Sequence, residues 1–155
     1  MAMHLLIRRM RLRARHDVIP ILIILLTVFT GRLAAAESVQ IFAHNSVAIS
    51  SLTQSEVRQI FTGMKQHWPD GKRIRVFVLA DNSELHKSFC REQLQMFPYQ
   101  LNRIWDQMTY SGQGNAPTRV ESLQELIDII GKTDGAIGYI REGNYETTKL
   151  IEVQS

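Results

Sequence analysis

Apolar positions along this chain switch repeatedly between two spacings, a dense or two-residue pattern and a pattern of threes and fours. "VQIFAH" at 39–44 and "RIRVFVLA" at 73–80 are rich in β-branched and aromatic residues. The second alternates early and ends in an apolar run, as a strand entering a buried sheet does. "GAIGYI" at 135–140 predicts a short buried strand, and "KLIEV" at 149–153 a last edge strand. Between them lie helical stripes. Val57, Ile60 and Phe61 follow a Thr53–Glu56 capping box, and Leu101, Ile104, Trp105 and Met108 follow Pro98, which suits a first helical turn. Leu123, Leu126, Ile127 and Ile130 follow a second capping box, Ser122 with Glu125. A further helix opens at Ser83 and runs to about Met96. Strands alternating with helices predict an α/β fold, one three-layer lobe in which helices flank a mixed sheet.

The first 36 residues follow a different pattern. Arg8, Arg9, Arg11, Arg13 and Arg15 precede the apolar run Val18–Phe29, and Ala34-Ala35-Ala36 offers an A-x-A processing site. A charged segment, a short apolar core and a small-residue exit predict a cleavable secretory signal over 1–36, leaving the domain 37–155. The alternative, a retained anchor, needs about 20 apolar residues to span a bilayer. Removing the signal takes six of the 18 Lys and Arg and one of the 15 acids, so 12 basic and 14 acidic residues remain, a net of −2. The high pI therefore belongs to the signal, and nucleic acid is not an expected partner. The membrane is met only through the signal before cleavage.

Catalytic and metal signatures are missing. The sequence has no H-E-x-x-H, C-x-x-C or Walker-type loop and no G-x-S-x-G elbow, and His44, His67 and His86 are scattered without metal-ligand spacing. Cys90 is the single cysteine; at helical steps it shares a side with Leu94 and Phe97 and is expected in the core. No cofactor is expected, and the chain reads as a binding domain rather than an enzyme.

Three segments in order carry a resemblance. "IFTGMKQHWPDG" (60–71) is similar to an I-F-x-G…W-x-D-G signature, and "GAIGY" (135–139) to a late G-A-I-G-Y strand. "LADNSELHKSF" (79–89) falls where R-x-D-x-S-G-T would stand. Together they resemble the phosphate-binding proteins of ABC importers, in the type 2 periplasmic binding protein superfamily. The resemblance runs over roughly 39–153 and covers one lobe, where full members hold an oxyanion between two. It implies periplasmic residence and a small inorganic anion such as phosphate as ligand. Asp81 and Ser83 match the family's anion loop. Leu79 stands in place of its arginine, Glu84 of its glycine and Leu85 of its threonine.

The candidate ligand-binding residues are accordingly Asp81, Asn82 and Ser83 in that loop, Ser111, Gly112, Gln113 and Gly114 in the glycine-containing loop, and Asn45 and Ser46 after the first strand. Ser83 also reads as a plain helix cap, which Leu79 and Glu84 favour, because a carboxylate at Glu84 already occupies the positive helix end. Ser111–Gly114 also reads as a connector. Lys87, Arg103 and Arg119 are possible nearby charges. Two functions stay open: weak or partner-assisted anion binding, or a degenerate binding lobe that contacts protein, either as a homodimer or as an accessory of an envelope transporter or sensor.

Overall fold

The computed structural model describes residues 38–141 and 148–154; the export signal expected over 1–36 lies outside them. β1 (Gln40–His44) is followed by β2 (Ser51–Thr53), whose last residue also starts α1 (Gln54–Phe61). Thr53 Oγ1 accepts from the Glu56 amide at 3.2 Å, and Glu56 Oε2 accepts from the Thr53 amide at 3.0 Å, so the predicted capping box forms. β3 (Arg75–Leu79) leads through Asp81–Ser83 into α2 (Glu84–Phe89), one π turn (Cys90–Leu94) and α3 (Pro98–Tyr110). β4 (Thr118–Val120), α4 (Leu123–Lys132), β5 (Ala136–Ile140) and β6 (Thr148–Gln154) complete the chain. At α4, Ser122 Oγ caps the Glu125 amide at 3.1 Å, but Glu125 Oε2 reaches the Glu121 amide at 2.9 Å, so only half of that box is present.

The strands form one sheet in the order β2-β6-β1-β5-β3-β4. β1 runs antiparallel to β5 and β6, while β3 is parallel to both β5 and β4. The mixed three-layer α/β architecture is thus as expected. β5 is buried at every position, as its apolar run requires. Phe42 and Gly138 pair across β1 and β5 on the face under α4; a Cβ added at Gly138 would meet Ile130 Cδ1. Tyr139 faces the other side, where its ring stacks on Phe89 at 3.9 Å and Phe89 meets Phe61 at 4.6 Å.

Three expectations change. "KLIEV" is not an edge: β6 lies between β1 and β2, and the three-residue β2 takes the edge. The helix from Ser83 does not run evenly to Met96. Its second half widens into the π turn, and Gln95 adopts φ 55°, which ends the helix. For that reason Phe97 leaves the side it was expected to share with Cys90 and Leu94. Those two are fully buried, whereas Phe97 is 60% exposed.

Candidate functional site

The loop after β3 is tied down by its neighbours. Asp81 Oδ2 accepts from Asn102 Nδ2 of α3 at 2.6 Å. Arg119 of β4 donates to Asn102 Oδ1 at 2.7 Å and lies 3.4 Å from Asp81 Oδ1. The register explains the meeting, because Val78 pairs with Arg119 and carries it to the C-terminal end of β3. The guanidinium also sits 5.7 Å from the Trp105 ring centroid. A cation therefore stands at this loop although position 79 itself is a leucine. It comes from the adjacent strand and is engaged by Asp81 and Asn102. Both ends of the ion pair are about half exposed, so the Coulombic part contributes no more than about 1 kcal/mol.

Ser83 accepts from the His86 amide at 3.4 Å and so caps α2. Glu84 accepts from Lys87 Nζ at 2.7 Å. That hydrogen bond and the lysine's charge hold its carboxyl below the usual range, so it is ionised at neutral pH. Beneath the loop, Tyr139 OH accepts from the Leu79 amide at 2.9 Å and meets His86 Nδ1 at 2.6 Å. His86 Nε2 lies 3.5 Å from Cys90 Sγ and 3.8 Å from Asp81 Oδ1. Asp81 Oδ1 is itself buried without a hydrogen bond. Burial pushes the Cys90 thiol up to about 12, and the thiol belongs to the core as expected.

His86 is fully buried, and burial lowers its pKa below the ordinary 6.5 more than Asp81 raises it; Arg119 adds to the lowering. The folded state therefore favours the neutral ring. Its stabilisation is complete above pH 6.5 and is lost as pH falls towards the lowered folded value. Urea midpoints of the wild type should fall between pH 7 and pH 5.5, with a smaller fall in His86→Gln. Equal falls in the two proteins would contradict this. Glu56, held down to about 2 chiefly by Lys65, stays charged throughout that interval.

The candidate residues fall into separate places. Asp81, Asn82 and Ser83 gather at the C-terminal end of β3. Asn45 and Ser46 lie at the opposite end of the sheet, because β1 runs against β3 through β5. There Ser46 Oγ lies 2.7 Å from His44 Nδ1 and accepts from the Gly135 amide at 3.2 Å. Ser111, Gly112, Gln113 and Gly114 follow the far end of α3. Gln113 is tied there through its amide to the Met108 carbonyl and through its own carbonyl to Gln66 Nε2. Lys87 is paired with Glu84, and Arg103 is exposed. Asn102, His86 and Tyr139 were missed by the sequence reading. A tyrosine inside a strand buried throughout was the available signal, since its hydroxyl needs a partner.

A groove of about 480 Å³ beside the loop is lined by Asp81, Lys87, Arg91, Phe97, Tyr99 and Asn102. A cleft of about 290 Å³ at the start of β3 holds Lys65, Arg73, Arg75 and Asn115 and shares no residue with the loop. Among the described residues no group of three or more His, Cys, Asp or Glu is placed to hold a metal ion.

No protein-family model and no curated protein matches the chain. Solved structures do. A phosphate ABC transporter substrate-binding protein from Clostridium perfringens, solved with bound phosphate, aligns with a TM-score of 0.61 at 16% identity over 75% of this chain and 44% of its own. PstS from Borrelia burgdorferi gives 0.57 at 19% identity over 76% and 47%, and an ABC-type phosphate transport receptor from Vibrio cholerae 0.54 at 15% over 75% and 46%. The chain has the α/β fold of these binding proteins and spans less than half the length of each.

Proposed function

We propose that this chain, a lobe with the fold of phosphate-importer binding proteins, is an exported, non-catalytic module that acts through protein contact in the periplasm. In this reading it does not carry phosphate by itself. Residues 1–36 are its export signal and 37–155 its working domain. One observation carries the reading: the loop that would hold the anion is already engaged by side chains of the neighbouring helix and strand. Asp81 is engaged by Asn102 and Arg119, and Ser83 caps the His86 amide. An incoming phosphate would also face the ionised Glu84 where the family pattern has glycine. Like charges about 4 Å apart repel by about 1 kcal/mol in water and by more when desolvated.

The second reading is weak or partner-assisted anion binding. Arg119 favours it, because its half-exposed guanidinium stands beside Ser83's loop. A thermal-shift series on the exported chain with phosphate, sulfate and small carboxylates separates the two. A 1 mM site at 10 mM ligand would stabilise the fold by about 1.4 kcal/mol, equivalent to several degrees of melting temperature. The expected result is no shift. A shift abolished by Arg119→Ala would establish the second reading in its place.

A further inference from the structure

The outer face of α3 carries a side-chain pattern that complements itself. Leu101, Trp105 and Met108 turn into the core. On the opposite side, Tyr99, Arg103, Asp106 and Tyr110 fall within an arc of about 60° at 3.6 residues per turn. Tyr99 is 67% and Tyr110 90% exposed, and Arg103 and Asp106 are exposed too. Neither charged residue has an ion pair or hydrogen bond among the described residues. Tyrosine and arginine are the types enriched at protein contacts and depleted from idle surface.

The order of these four residues selects the partner. A two-fold axis crossing the middle of α3 sets two copies of the helix antiparallel and places each residue opposite the one equally far from the centre. Tyr99 then meets Tyr110 of the second copy, and Arg103 meets Asp106, each pairing occurring twice. A parallel arrangement sets each charge against its like. The ends of the helix carry further exposed apolar groups. Phe97, 60% exposed and stacked on Tyr99 at 5.8 Å, projects at the start of the helix. At its other end a hollow of about 420 Å³ is lined by Met64, Gln107, Met108, Ser111 and Gln113. Met64 is itself 72% exposed. Phe97 faces the flank of Asn102 and the hollow the flank of Gln107 and Ser111, so the two-fold axis leaves them on opposite sides of the contact.

We infer that the chain forms an isologous homodimer through α3, with Arg103–Asp106 and Tyr99–Tyr110 pairs repeated about the two-fold axis. This inference rests on the contact role proposed above and names its partner as a second copy. Phosphate-induced stabilisation would overturn that role and leave the dimer standing; a monomeric chain would overturn the dimer alone.

Sedimentation equilibrium on the exported chain provides the test. The wild type should be dimeric at about 100 μM, a concentration that even a modest interface saturates. Arg103→Glu and Asp106→Arg each turn two attractions into two repulsions and should weaken association at least about tenfold. The double variant R103E/D106R restores opposite charges and should dimerise again. An equimolar mixture of the two single variants should associate where neither does alone, because each carries the charge that complements the other. Circular dichroism on every variant separates loss of association from loss of fold at these exposed sites. A monomeric wild type, a dimer indifferent to both single variants, or a double variant that stays monomeric would each overturn the inference.

Discussion

Trp105→Ala should lower the stability of the fold by about 3–5 kcal/mol, the range for truncating a large buried aromatic. Trp105 is 2% exposed, and its Nε1 donates to the Phe61 carbonyl at 2.8 Å, joining α3 to the end of α1. Truncation opens a cavity and leaves that carbonyl without its partner, and each adds to the cost. Against a total of about 5–15 kcal/mol for an ordinary domain, this is a large fraction. Chemical denaturation is the measurement. Trp105→Phe retains much of the ring volume but not the N–H, so its loss should be smaller. A loss below about 2 kcal/mol for the alanine variant would mean that the site collapses around the missing ring. The same substitution removes the ring beneath Arg119, so the guanidinium should lose order beside Asp81.

The second large effect is expected at Gly135, the first glycine of "GAIGY". Its φ is +74°, and a Cβ placed there would stand 2.5 Å from the Arg73 carbonyl oxygen. Backbone cannot swing away as a side-chain tip can. Gly135 also accepts from Trp68 Nε1 at 3.0 Å and from the Arg75 amide at 3.1 Å, and donates to Ser46 Oγ. Moving it therefore disturbs the start of both β3 and β5. Gly135→Ala should cost about 2–4 kcal/mol, adding close contact to about 1–2 kcal/mol of left-handed strain. Gly71 is the control. Its φ is +84°, but a Cβ there meets nothing within 4 Å, so Gly71→Ala should show the conformational strain alone. Equal urea midpoints for the two variants would rule out the contact with Arg73 as the cause.

This contrast bears on what was readable in the residues themselves. The helical stripes and caps were legible because each depends on residues three or four apart. Thr53 with Glu56 and Ser83 with His86 form locally. β2 and β4, at three residues each, are too short to show a period, and their pairing with β6 and β3 is non-local. β6 looked like an edge because it comes last in the chain, while its position in the sheet depends on β2. The π turn at Cys90–Leu94 keeps the apolar spacing of an α-helix through Leu94, so the departure first shows at Phe97.

The loop after β3 divides in the same way. The cap at Ser83 was visible locally. The engagement of Asp81 by Asn102 and Arg119 joins three elements and was not. Asn45 and Ser46 were grouped with the loop as residues leaving a strand. Strand direction decides which end of a sheet such residues reach, and only the antiparallel pairing of β1 with β5 supplies it.

The seat of Cys90 has a consequence for the chain's chemistry under oxidising conditions. Thiolate is the form that attacks disulfides and oxidants. With the thiol buried and its pKa pushed up to about 12, almost none is present at neutral pH once the π turn has packed against His86. The hazard of crosslinking to another chain is thereby confined to the interval before folding. Folding speed, more than surface exposure, sets how much material is lost to mixed disulfides.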